Sequence, residues 1–348
     1  QNWFPSAEYE TKNCRQNLGL FDLTPFAKFE LKGDKAFEEL QRICTANIKN
    51  EPGKCVYTQM LNKDGGIETD VTVICLEQNY FRVISSAATR ERDKFHIKKS
   101  LITKIELKDV TEKYCVFGLF GPNSRKFLQS LCKEDFSNSN FKFATGKKVQ
   151  ISNFDTWIQR LSYVGELGFE IYAKADKGKE LYNFIFDKGK QFNIANCGMH
   201  SLDIMRMESG FLHWGHDISP EENQYQANLD FAISFKKNVD FIGREALLKI
   251  KDRKLDKRLM MLVLKNGKPG NPLLLHDEPI YLDNKIIGRT TSGNYSFNFK
   301  RNLSYGYINS GNTYESLKNK NIYIEVEKVK YSAEIIEKPL NNKKFKNI

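Results

Sequence analysis

No run of 18 apolar residues occurs in the 348-residue chain, so the sequence offers no membrane-spanning helix. Proline is scarce, at 9 residues, which excludes collagen-like and Pro-rich disordered designs. The 7 cysteines (Cys14, Cys44, Cys55, Cys75, Cys115, Cys132 and Cys197) are odd in number and widely spaced, and no CxxC pair is present. They read as reduced core residues of a cytoplasmic or mitochondrial-matrix protein, not as a disulfide frame or metal site. No GxGxxG follows a strand, because 65-GGIETD-70 and 118-GLFG-121 lack the spacing. A dinucleotide fold is therefore not expected on this chain. The first residue is Gln with no charged-then-apolar leader behind it, which reads as a start that was processed, trimmed or cut from something longer.

What the chain does have is length and charge. Its size allows two or three packed cores that need no covalent staple. Lys and Arg number 54 against 43 Asp and Glu, a formal net charge of +11. The lysines are scattered between acids, as in 94-KFHIKKS-100, so they read as a solvated face with no nucleic-acid or membrane surface. Such a chain still attracts an anionic ligand tail.

The hydrophobic periodicity predicts a helix within 5–18, short strands across 20–33, and a helix at 35–44 with Phe37, Leu40, Gln41 and Cys44 on one stripe. Strands follow across 55–86, broken by the Asp64-Gly65-Gly66 turn, then a helix at 88–99 and a strand at 103–109. The pattern repeats loosely: strand 114–121, helix 123–132, a polar stretch, strands 156–164 and 168–173, helix 178–189, and a helix from 198 that ends at Gly210. Two α+β halves of similar size account for 20–250. Beyond the lysine-rich boundary at 249–258, closely spaced Gly and Asn punctuate strands that read as a small β-barrel or sandwich. The expected domains are 1–250, formed by two α+β subdomains, and a 260–348 barrel.

Seven strings taken together carry a family resemblance: 18-LGLFDLTPFAKFELKG-33, 57-YTQMLNKDGGIETDVTV-73, 119-LFGPNSR-125, 160-RLSYVGELGFEI-171, 206-RMESGFLHWGHDI-218, 240-DFIGREAL-247 and 288-GRTTSG-293. The chain resembles the aminomethyltransferase family, meaning the glycine-cleavage T-protein and the folate-binding C-terminal half of dimethylglycine and sarcosine dehydrogenases and oxidases. The opening 2-NWF-4 and the 213-HWGHDI-218 and 231-FAISF-235 strings are more similar to the flavin-linked branch. The resemblance implies an α+β, three-subdomain, ring-like folate-binding fold closed by a C-terminal β-barrel. It also implies tetrahydrofolate as cofactor, with FAD on a separate domain or partner and not on this chain.

The same resemblance assigns roles. Glu170 would accept the parallel N–H donors of the pterin edge, a role its place in an apolar strand supports independently, since an unpaired glutamate there is costly. Asp70 would face the reactive nitrogens and the incoming carbon as the catalytic carboxylate, and it is the acid of its turn left without a local purpose. Tyr57 and Tyr163 match aromatic positions of the folate pocket, where a hydroxyl bonds a ring heteroatom. Arg206 joins the cofactor-binding set, although Arg206 and Glu208 read mainly as an ion pair that fixes their helix. His213 and His216 lack a third ligand, so no metal is expected.

Departures from the family pattern are Leu202 in place of a T-protein arginine, which weakens carrier docking, Ser86 in place of an asparagine or small residue, and Gln226 and Asn228 in place of a glutamate and a glycine. The implied reaction is tetrahydrofolate-dependent one-carbon transfer, giving 5,10-methylenetetrahydrofolate from a methylamine-derived iminium or formaldehyde equivalent, with a small amine-derived donor and a flavin-containing domain or subunit as partners. The alternatives are a glycine-cleavage aminomethyltransferase, a folate-dependent demethylase of a small sulfonium or ammonium compound, and a non-catalytic scaffold.

Overall fold

A computed structural model describes residues 1–347. Helix α1 (Phe4–Gln16) carries Pro5 in its first turn, where the missing N–H costs nothing. It leads into β1 (Leu18–Asp22). The first sheet then forms from β2 (Ala27–Lys32), α2 (Ala36–Ile43), β3 (Cys55–Leu61), β4 (Ile67–Glu77), β5 (Tyr80–Ser85), α3 (Arg90–Ser100) and β6 (Glu106–Asp109). Its strand order is β3-β4-β5-β2-β6. Phe29, Leu31, Val71, Val73, Phe81 and Val83 alternate inward and pack on Leu40 and Cys44 of the α2 stripe.

The second unit repeats that succession with β7 (Tyr114–Phe120), α4 (Ser124–Leu131), β8 (Gly146–Ile151), β9 (Phe154–Gln159), β10 (Gly168–Lys174), α5 (Gly178–Gly189) and β11 (Ile194–Cys197). Its order, β8-β9-β10-β7-β1-β11, matches the first sheet strand for strand except that β1 is inserted beside β7. The loose repeat in the sequence is thus a repeat of topology.

Three details differ from the sequence reading. The polar stretch contains β8, which places Val149 and Ile151 inward and Lys148 and Gln150 outward, too few apolar residues to signal a strand. The four-residue β11 is likewise short, and it is held by parallel pairing with β1. The strand read as 156–164 ends at Gln159, because the chain turns at Gly165 with φ +71° and leaves Tyr163 on the turn.

Helix α6 (Met199–Glu208) and α7 (Arg244–Lys251) lead to β12 (Lys257–Leu264), β13 (Pro279–Leu282), β14 (Lys285–Ser296), β15 (Arg301–Asn309), α8 (Tyr314–Leu317), β16 (Ile322–Val326) and β17 (Val329–Ile336). These six strands close into a barrel, β12-β15-β14-β13-β16-β17, filled by Leu262, Ile280, Ile308, Ile324 and their neighbours. All seven cysteines are free thiols, and every one except Cys132 is buried.

The bodies are joined by specific contacts. Edge strands β3 and β8 meet where Cys55 N donates to Ala144 O at 3.0 Å and Gly146 N donates to Gly53 O at 2.7 Å. Gly53 sits at φ +88°, and a Cβ there would lie 2.5 Å from Gly146 O, so this approach requires glycine. Arg15 of α1 bridges Glu166 at 3.1 Å and Glu208 of α6 at 2.6 Å, all three nearly without exposure. Glu208 also accepts from Ser296 Oγ of β14 at 2.6 Å. The expected Arg206–Glu208 pair does not form: residues two apart on a helix face different ways, and each side chain finds partners elsewhere.

Candidate active site

Antiparallel pairing places Gln59 opposite Asp70 and Tyr57 opposite Thr72. Period-two alternation then puts Tyr57, Gln59, Asp70 and Thr72 on one face, while Val71 and Val73 turn to the core. Gln59 Nε2 donates to Asp70 Oδ1 at 2.7 Å. Gln59 and the Tyr57 hydroxyl both favour the ionised form of Asp70. Burial dominates, and it pushes the Asp70 carboxyl up to about 6.

The second sheet repeats this chemistry. Glu170 lies opposite Gln159 on one side and Gly118 on the other. Gln159 Nε2 donates to Glu170 Oε2 at 2.7 Å, and the Tyr172 hydroxyl reaches the same oxygen at 2.9 Å. Burial raises the Glu170 pKa and these two donors lower it. Sequence reasoning singles out neither glutamine. A signal exists: each stands 11 residues before its carboxylate, across a hairpin.

Asp70, Tyr163 and Glu170 lie deep enough for burial to shift their titration, yet each keeps accessible surface. Tyr57 is 38% exposed and stacks on Phe231, itself 74% exposed, at 6.3 Å. Burial above all raises the phenols of Tyr163 and Tyr57, and the charge of Asp70 adds to the rise in both. Tyr163 stacks on Phe211 at 6.0 Å and its hydroxyl donates to Leu212 O at 2.6 Å. Its proton is therefore committed to the protein, leaving its oxygen as an acceptor.

Arg206 is 2% exposed and holds the wall together. Its guanidinium donates to Asp203 at 2.8 Å, Asp217 at 2.5 Å, Phe211 O at 3.0 Å and Ser292 Oγ at 2.8 Å. Four of its five N–H groups are thereby used on protein. His213 and His216 rings lie 4.6 Å apart, and among the described residues no group of three His, Cys, Asp or Glu is arranged to hold a metal.

The residue-level chemistry fits a reduced pterin. Both donors of Glu170 meet one oxygen, Oε2, and among the described residues no hydrogen bond reaches Oε1, although the carboxylate sits deep in the molecule. An acceptor oxygen left open at such a position suits a ligand that brings its own N–H donors.

The family model for the GCVT N-terminal domain matches residues 1–237, and that for the glycine cleavage T-protein C-terminal barrel domain matches 257–341. The chain belongs to the glycine-cleavage T-protein family. It is a member of this folate-dependent aminomethyltransferase family. It is 36% identical over 301 residues to 4-methylaminobutanoate oxidase (formaldehyde-forming) of Paenarthrobacter nicotinovorans, covering 86% of this chain and 36% of that protein. It is 32% identical to the mitochondrial dimethylglycine dehydrogenase of Rattus norvegicus, over 97% of this chain and 39% of that protein. The chain thus spans less than half the length of these relatives. The T-protein-family fold is also seen in aminomethyltransferase T of the glycine cleavage system from Bartonella henselae, with a TM-score of 0.84 at 21% identity over 96% of this chain and 89% of that one.

The departures from the T-protein pattern take on physical meaning. Leu202 is buried in one core cluster with Cys14, Phe21 and Met205, so the leucine serves packing at this position. Gln226 Nε2 donates to Asp256 at 2.5 Å, where a glutamate would set two carboxylates together. Asn228 adopts φ +58°, a conformation asparagine tolerates better than other side chains, and it bonds Leu259 O. Ser86 stands at the turn into α3, half-buried and without a side-chain cap bond.

Proposed function

We propose that this chain captures a one-carbon unit, delivered as a methylamine-derived iminium or formaldehyde equivalent, and forms 5,10-methylenetetrahydrofolate. The observation that carries the reading is the pair of deep carboxylates, one from each sheet, that are each held by a cross-strand glutamine. Glu170 would receive the amino and ring N–H donors of the pterin, while Gln159 and Tyr172 keep it in position. Asp70 would stand against the developing positive charge and take up the proton released there, a role suited to a carboxylate that titrates near neutrality. Tyr57 and Tyr163 would flank the ligand, and Arg206 would hold the 211–217 loop that supports Tyr163. Bound tetrahydrofolate would supply the nucleophilic nitrogens.

Oxidation of the amine would occur on a flavin outside this chain, on a neighbouring domain or a partner. The relatives of greater length support that arrangement, and the free buried thiols support a reducing compartment such as cytoplasm or mitochondrial matrix.

Calorimetry with tetrahydrofolate is the direct test. One site per chain that survives a chelator is expected, and heat no greater than buffer dilution would sink the reading. Folate capture should then follow when formaldehyde is supplied. Efficient ammonia release from aminomethylated lipoyl carrier protein would instead assign glycine cleavage, and methyl-folate from a sulfonium donor would assign a demethylase.

A further inference from the structure

The amides behind Asp70 are polarised in one direction. A carboxylate accepts only, so Gln59 must turn its NH2 group toward Asp70 and present Oε1 on the other side. Gln224 meets that oxygen with its own Nε2 at 2.6 Å, and the same nitrogen reaches Thr45 Oγ1 at 3.1 Å. Gln59 and Gln224 both have no exposure. The outcome is that Gln224 Oε1 is left buried with no partner. Rotating the amide would bring that oxygen against Gln59 Oε1, so one orphaned acceptor is the lesser cost.

Gln224 does not belong to the sheet that carries Asp70. It lies in the 219–232 segment, which is bonded to the barrel: Leu259 N donates to Gln226 O at 2.8 Å, and Asn228 Nδ2 donates to Leu259 O at 2.9 Å. The same segment pairs with β4 where Ile67 N donates to Glu222 O at 2.9 Å.

We propose that Gln224 and Gln59 form a one-way amide relay through which the segment joining sheets to barrel fixes the orientation of Asp70, making both of them positioning residues for carbon transfer. The proposal rests on Asp70 being the reacting carboxylate. The relay ends in a hydrogen bond to the ionised form, so weakening it makes Asp70 harder to ionise. Other groups that bear on Asp70 are Tyr57 on β3, Asp93 on α3 and Tyr163 on the turn after β9, and the side-chain hydrogen bonds of Gln224 go to Gln59 and Thr45.

The test titrates the carboxyl carbons of the full chain by NMR, with the Asp70 resonance assigned by its loss in Asp70→Asn. Gln59→Leu should move the Asp70 midpoint upward by about one pH unit. Gln224→Met should move it in the same direction by less, and the double variant by no more than Gln59→Leu alone. Folate capture by Gln224→Met should lose kcat with an unchanged KM for folate. A folded Gln224→Met chain whose Asp70 midpoint stays at the wild-type value overturns the relay. If the methionine variant does not fold, Gln224→Asn, which merely shortens the reach, decides the question by the same midpoint. Asp70→Asn that still captures the carbon overturns the role given to Asp70, whereas the titration needs no turnover and decides the relay separately.

Discussion

Gln159 stands to Glu170 as Gln59 stands to Asp70: an amide donating across an antiparallel pair at 2.7 Å, in two different sheets. The backing differs. Trp157 Nε1 supports Gln159 from its own strand at 3.3 Å, whereas Gln224 supports Gln59 from the barrel-linked segment. A carboxylate fixed within one sheet and a carboxylate fixed across two bodies would respond differently to movement of the barrel.

Glu170→Gln should weaken tetrahydrofolate binding by about 2–5 kcal/mol, because it removes one partner of a buried charge-assisted contact. Calorimetry reads this directly. An unchanged affinity would remove Glu170 from the pterin site.

Asp70→Ala should slow carbon transfer far more than it weakens folate affinity, the pattern of an interaction made mainly in the transition state. Parallel turnover and binding measurements separate the two, and equal losses would assign Asp70 to ground-state binding or local folding. Turnover of the unaltered chain should rise with pH through about 6 as Asp70 ionises.

The same carboxyl has a stability consequence. It titrates near 3.8 when unfolded and near 6 when folded, so the folded chain binds the extra proton between those values. The contribution of Asp70 to stability should therefore fall as pH rises from about 4 to 6 and level off above that. Asp93 and Glu170, which burial also raises, add to the slope in the same direction. Asp70→Asn should remove the Asp70 share and stabilise the chain at pH 7 by on the order of 2 kcal/mol, after allowance for the partial exposure of the group. Denaturant unfolding of both chains at several pH values checks it, and a stability difference between them that does not change from about pH 4 to 6 would contradict the assignment.

Arg15→Ala should cost about 3–5 kcal/mol, since Glu208 would be left as a buried charge without its ion-pair partner and Glu166 would lose one of two. A fall in Tm of several degrees is the expected reading. Lys343, which reaches Glu166 at 2.8 Å from the C-terminal segment, limits the loss on that side alone.

Gly53→Ala should destabilise the seam between the two sheets by about 1–3 kcal/mol, because it combines a left-handed backbone with a Cβ 2.5 Å from Gly146 O. Hydrogen exchange at Cys55 and Gly146 should accelerate more than exchange in the barrel. Uniform change across the chain would mean that the seam opens only with global unfolding.

Much of this protein is written locally in its sequence. The α2 stripe of Phe37, Leu40, Gln41 and Cys44, the Asp64-Gly65-Gly66 turn and the alternation of Val71, Val73 and Cys75 follow from helical and extended periodicity, so their elements could be drawn without a partner in view. The seven motif strings likewise carried Asp70, Tyr57, Tyr163 and Glu170 as site candidates. Tertiary structure decided what these residues touch. Strand β8 exists because β9 pairs with it, Arg206 and Glu208 part company because Asp217 on the loop after α6 and Arg15 of α1 supply nearer charges, and Leu202 turns inward because α6 packs on the second sheet. The glutamine relay is the furthest from sequence: Gln59 and Gln224 are 165 positions apart. No local periodicity reports a hydrogen bond between segments that meet only after the sheets and barrel have docked.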